Sequence, residues 1–203
     1  MDNISDTYKT IAQPSNEVLF KEKKSKFYGY AFPVERESEV KHILEEIKRK
    51  HSTANHVCYA WLLGIENSKY RANDDGEPNN SAGMPIYGQI QSYELTNVLV
   101  AVARDFGGVK LGVGGLITAY RTTAQLTLGT CKIVKRTIKS YYRLLFQYAE
   151  MDIVMRTIKQ KQINIISQKL EMHCEIVFSI RKKDAIQVKS IFEGIYGVEI
   201  KSI

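Results

Sequence analysis

YYRLLFQYAEMDIVMRTIKQKQINIISQKLEMHCEIVFSIRKKDAIQVKSIFEGIYGVEIKSI, residues Tyr141 to Ile203, changes hydrophobic period in a legible order. Tyr142, Leu144, Phe146 and Tyr148 alternate, which puts them on one face of a strand. Met151, Val154, Met155 and Ile158 then recur at helical spacing, and Ile163 to Leu170 returns to extended chain. Met172, Cys174, Ile176, Phe178 and Ile180 alternate again. Val188, Ile191, Phe192 and Ile195 fall at i, i+3, i+4 and i+7, and Tyr196, Val198 and Ile200 close the chain as a strand. The order β-α-β-β-α-β is that of a ferredoxin-like sandwich, with helices packed on one face of an antiparallel sheet. The expected fold class is α+β, with a boundary in the Arg136 to Lys139 stretch that divides the chain into 1–138 and 139–203. A domain as small as the second has a marginal core and leans on a neighbour or partner.

Immediately upstream the charge becomes lopsided. Between Asp105 and Glu150 there is no acidic residue, yet Lys110, Arg121, Lys132, Lys135, Arg136, Lys139 and Arg143 all fall there. These seven cations account for the whole net charge of +7. Concentrated in one stretch, they form a regional positive field of the kind that attracts polyanions, nucleic acid first among them. The alternative is a set of solvated lysines beside carboxylates that the fold brings near.

Further toward the N-terminus, Val18 to Val34 reads as extended chain with β-forming aromatics. A helix follows with Val40, Ile43, Leu44 and Ile47 on one face and Ser38 as its cap. His56 to Leu63 reads as a strand, and Ser68 to Pro85 as a turn-rich loop. Val98 to Ala103 has the length and β-branching of a buried strand, and Leu116 to Leu128 reads as a helix. The longest apolar runs fall far short of the roughly 20 residues that cross a bilayer, and Met1 to Phe20 has no apolar signal region, so a soluble, cytoplasmic protein is expected. Cys58, Cys131 and Cys174 contain no C-x-x-C pair and are odd in number, as reduced thiols would be.

Four segments invite chemistry. Val98 to Tyr120 sets Gly107, Gly108, Gly112, Gly114 and Gly115 between a buried strand and a helix, where backbone N–H groups and the helix dipole favour an anion. Arg104 and Lys110 add charge. Neither a Walker loop nor a dinucleotide fingerprint fits: Val113 and Gly114 stand where Lys and Ser or Thr are required, and Ile117 stands at the third glycine of the other pattern. The competing reading is glycines that serve turns and close packing alone. NDDGEP, Asn73 to Pro78, concentrates acid at a turn. Arg71 and Ala82 exclude an EF-hand, which leaves Asp75 and Glu77 as acid–base groups or as caps and solvated charges. His56 and Cys58 share a strand face, but no second ligand pair accompanies them, so no metal and no cofactor is expected. Cys58 as a nucleophile needs a base such as His51 or His42 nearby. Lys21 to Tyr30, KEKKSKFYGY, has the cation–aromatic mixture that stacks unpaired bases, or that of a plain amphipathic strand.

KKSKFYGY, HVCYAW, NDDGEPNNSAGMPI and FGGVKLGVGGLITAY, in this order, resemble the N-terminal domain of the YigZ/IMPACT family over Lys21 to Leu128. The resemblance implies an N-terminal domain of the ribosomal-protein domain 2 type, two-layered and also similar to a domain of elongation factor G, followed in bacterial members by a ferredoxin-like tail. It implies a site at His56, Asp75, Gly76 and Glu77. Eukaryotic relatives regulate translation by restraining an amino-acid-starvation kinase. Asp105 stands where the family pattern has an aromatic, and Thr118 where Arg or Lys precedes the Ala-Tyr pair; Arg121, one turn on, can substitute for the latter.

Together these readings point to a non-enzymatic regulator tied to translation. It binds RNA, the ribosome or a translation-linked protein through Arg104, the five glycines, Lys110, Arg121, Lys132, Lys135 and Arg136. The rival is an enzyme acting on a phosphorylated or nucleotide-like small molecule, with Asp75, Glu77 or His56 as acid–base groups.

Overall fold

The computed structural model describes residues 6–203. Its elements are strands β1 (Thr7–Ile11), β2 (Val18–Glu22) and β3 (Ser25–Pro33), helix α1 (Glu37–Lys50), strands β4 (His56–Leu63) and β5 (Lys69–Asn73), helix α2 (Gly83–Ser92), strand β6 (Val98–Asp105), helix α3 (Gly112–Gly129), strands β7 (Ile133–Thr137) and β8 (Lys139–Gln147), helix α4 (Met151–Gln160), strands β9 (Asn164–Lys169) and β10 (His173–Arg181), helix α5 (Lys182–Glu193) and strand β11 (Val198–Ser202). The chain forms two compact units: Tyr8–Lys135, and Arg136–Ile203 with residues 6 and 7. β1 and β7 pair in a two-stranded ribbon.

The first unit is built on an antiparallel sheet in the order β2-β3-β6-β4-β5. β6 lies at its centre and is buried from Val98 to Arg104. A strand without alternation must be covered on both faces, and it is. Val98, Val100 and Val102 point to the side of α2 and α3, against Ile86, Ile90, Leu116 and Tyr120. Leu99, Ala101 and Ala103 point to α1, against Val40 and Ile47. The α1 layer is additional to the two layers expected.

Four local details differ from the sequence reading. Ser38 does not cap α1: the cap position is Arg36, and Glu39 reaches back to accept from the Glu35 N–H at 3.0 Å. Val18 to Val34 is a hairpin, turned at Lys23 and Lys24, both with positive φ. The polar stretch after Ser68 contains β5 and opens α2. Finally, α3 begins at Gly112, four residues before Leu116, so the glycine-rich segment supplies its first turn.

The second unit has the sheet order β11-β8-β10-β9, all antiparallel, with the chain order β8-α4-β9-β10-α5-β11 of a ferredoxin-like sandwich. Register places Leu144 opposite Ile176 and Phe146 opposite Cys174. Their shared face packs on Val154 and Ile158 of α4 and on Val188 and Phe192 of α5. The α+β class read from the periodicity is the observed one. The alternations run one residue too far, however: Tyr148, Met172 and Tyr196 lie outside the strands and are exposed.

Among the described residues no helix is long and apolar enough to cross a membrane.

Candidate functional site

NDDGEP folds as a clamp between β5 and α2. Asp74 accepts the N–H groups of Ala82 and Gly83 on Oδ1, at 2.9 and 2.8 Å, and that of Asn80 on Oδ2 at 2.8 Å. It therefore caps α2 from outside the helix and satisfies N–H groups that have no intrahelical acceptor. Asp75, at φ 42°, accepts from the Val57 N–H at 2.8 Å and from Lys48 Nζ at 3.3 Å. His56 Nδ1 lies 2.7 Å from the Asp75 carbonyl, which only accepts, so Nδ1 carries the proton. Both Asp75 and His56 are thus held in bonds that pin the loop to β4.

Glu77 turns inward. Its Oε1 meets Arg104 Nη1 at 2.6 Å and accepts from the Tyr120 hydroxyl at 2.8 Å, all three side chains buried. Cys58 Sγ lies 3.3 Å from the Tyr120 oxygen and 3.0 Å from the Asp74 carbonyl. Burial pushes both the Tyr120 hydroxyl and the Cys58 thiol far above their ordinary pKa, and the nearby Glu77 charge adds to the effect. Cys58 is fully buried, so the thiol weighed as a nucleophile is closed off from a substrate in solvent. Arg104 is 5% exposed, lies between the rings of Phe27 and Phe106 at 5.4 and 5.5 Å, and donates from Nη2 to Ser25 Oγ at 3.4 Å. Its Nε is the one buried side-chain nitrogen or oxygen without a hydrogen-bond partner among the described residues. The cation expected to reach an anion directly is thus paired inside the fold.

Above this network lies a cleft of about 350 Å³, bounded by Glu77, Arg104, Phe106, Lys110, Val113 and Leu116. A second, of about 270 Å³, lies on the other flank of the α3 start, against Phe20, Lys23 and Thr118. The five glycines divide among packing, turns and open space. A Cβ on Gly107 would sit 2.1 Å from the Lys24 carbonyl carbon, so Gly107 exists to pack against the β2–β3 turn. A Cβ on Gly115 meets Leu111 Cβ at 3.1 Å. Gly108, Gly112 and Gly114 meet nothing within 4 Å, but Gly108 and Gly112 hold positive φ, 82° and 73°, as turn glycines do. The first turn of α3 has no side-chain cap and no acidic residue, so its N–H groups and partial positive charge face outward. Thr118 bonds to the Gly114 carbonyl at 3.0 Å within α3, and Asp105 accepts from Thr53 at 3.5 Å.

Of the seven cations in the acid-free stretch, Arg143 approaches Glu175 at 3.7 Å. Lys110, Arg121, Lys132, Lys135, Arg136 and Lys139 are exposed and have no carboxylate within 4 Å among the described residues. The first four of these belong to the first unit, the last two to the second. Of the aromatics of KEKKSKFYGY, Phe27 and Tyr30 are buried, and Tyr28, half-buried, already packs on the His51 ring with centroids 4.5 Å apart. Tyr30 bonds to Glu17 and to His51, the latter at 2.5 Å. Asp74, Tyr120, Ser25 and Phe106 hold or line the site, and sequence reasoning did not single them out. The one signal for Asp74 was its place in an acid-rich turn ahead of a helix.

Among the described residues no group of three or more His, Cys, Asp or Glu side chains is arranged to hold a metal ion. The model of the Impact N-terminal domain matches residues 23–128, the part of the chain that contains the cleft over Glu77 and Arg104 and, Phe20 and Glu22 apart, the lining of the second. An IMPACT family member from Haemophilus influenzae is 29% identical over 84% of the chain and 84% of its own length. The IMPACT family member YvyE of Bacillus subtilis is 30% identical over 77% of the chain and 71% of its own. A crystal structure of a hypothetical protein has a TM-score of 0.72, with 22% identity and 98% of both chains covered, and so shares the fold.

Proposed function

Because the chain belongs to the IMPACT family, we propose that it is a non-enzymatic, translation-associated regulator that acts in the cytoplasm by binding RNA, on its own or in the ribosome. The observation that carries this reading is the set of six exposed cations without carboxylate partners among the described residues, drawn from a stretch that contains no acid at all. Each cation that neutralises a phosphate frees counterions condensed on the nucleic acid, and a cation with no carboxylate partner does so without first giving up an ion pair. Around the α3 start the open glycines and uncapped N–H groups add a place where a phosphate can approach backbone. Family kinship supports the link to translation, through the eukaryotic branch that regulates it. The enzyme reading is the weaker one: of its acid–base candidates, Asp75 is held in the loop clamp and Glu77 is paired with Arg104 and Tyr120 inside the fold, which leaves the Nε2 of His56.

The test is crosslinking in cells followed by identification of bound RNA, with wild type compared to a variant carrying Lys132→Glu, Lys135→Glu and Arg136→Glu. Ribosomal or other RNA should be recovered from the wild type and be depleted at least tenfold from the variant. Equal recovery from both would remove the basic segment as the contact.

A further inference from the structure

We propose that the cleft over the Glu77–Arg104 pair is a pocket for one unpaired nucleotide, with the base between Phe106 and the α3 wall and its phosphate at the α3 N-terminus beside Lys110. The inference rests on the RNA reading and specifies what that reading leaves open, namely the form of the RNA. Two independent features converge here. The cleft wall is apolar and carries a half-exposed aromatic, Phe106, of the sort on which bases stack. Its rim is cationic, with Lys110 and the uncapped first turn of α3, while the carboxylate that lines it, Glu77, is neutralised by Arg104.

An acidic peptide would satisfy the rim, but the apolar wall with Phe106 gives a base a ring to stack on, which a flexible acidic side chain does not use.

The experiment measures binding of the full chain to a single-stranded RNA oligonucleotide and to the duplex made from it, for wild type, Phe106→Ala and Lys110→Gln. Phe106→Ala should weaken single-strand binding about tenfold and leave duplex binding within twofold, since one stacked base is at stake. Lys110→Gln, at the exposed rim of the cleft, should weaken single-strand binding about threefold while the thermal midpoint stays level, which excludes misfolding as the cause. Single strand and duplex bound alike, with neither variant altering affinity, would overturn the pocket and leave the RNA reading standing. No binding of either RNA at low salt overturns both, and the cleft then belongs to another occupant, for which an acidic peptide is the next probe.

Discussion

Glu77 and Arg104 illustrate how a residue that looks functional becomes structural once its environment is known. Each is buried, and each is the other's compensation; removing one leaves a charge in apolar surroundings. Glu77→Ala should therefore cost about 3 kcal/mol or more in urea unfolding. The double variant Glu77→Gln with Arg104→Met should recover a large part of that loss, because no uncompensated charge remains. Equal loss in single and double variants would show that the pair is not coupled. Cys58 and Cys174 are sealed in their cores, so an aromatic disulfide reagent at pH 8 should leave both unmodified in the folded protein and titrate all three cysteines after denaturation. Glu17 offers a pH test. Hydrogen bonds from Tyr30 and Lys50 hold its carboxyl below the ordinary value of 4.5. The folded state thus favours the ionised form, so its contribution is complete above pH 4.5 and disappears as pH falls through the lower folded value. Replacing it as Glu17→Gln should flatten the loss of stability on acidification, measured by urea unfolding at pH 7 and pH 3. Of this chemistry the sequence exposed the residue types but not the pairing. Asp75 and Glu77 are two positions apart, yet one faces β4 and the other the core, and only the left-handed backbone at Asp75 and Gly76 separates them.

At the level of elements, the β2–β3 turn and the α3 start depend on each other through Gly107. A Cβ at 2.1 Å from the Lys24 backbone has no flexible neighbour that could yield, so Gly107→Ala should displace the turn and cost several times the ~1 kcal/mol typical of a substitution. By contrast, Lys23 and Lys24 both hold positive φ in a two-residue hairpin turn, where Asn-Gly is preferred. Changing them to Asn and Gly should raise stability by about 1 kcal/mol, visible as a higher thermal midpoint. That same turn was illegible in sequence because Lys-Lys carries none of the usual turn chemistry. Long amphipathic elements were legible: of the residues that the spacing picks out, α1 buries Val40 and Ile47, α4 Val154 and Ile158, and α5 Val188 and Phe192, whereas Met155 of α4 is exposed. Helix α2 was not. GMPIYGQIQS has two glycines and a proline, and its start is fixed by Asp74, a residue outside it.

For the whole molecule, the decisive property is electrostatic. The chain places its entire charge excess in one acid-free stretch, and among the described residues six of those seven cations have no carboxylate partner. Charge composition is fully visible in a sequence, but pairing is not, because it depends on which acids the fold carries near; Arg143 and Glu175 meet only through the β8–β10 register. The most direct test is the salt dependence of RNA binding by the purified protein. If four or more of these cations neutralise phosphates, a plot of log affinity against log salt concentration should fall with a slope of about −3 or steeper for a single strand. The variant carrying Lys132→Glu, Lys135→Glu and Arg136→Glu should show a shallower slope. A wild-type affinity that does not change between low and high salt would contradict the account.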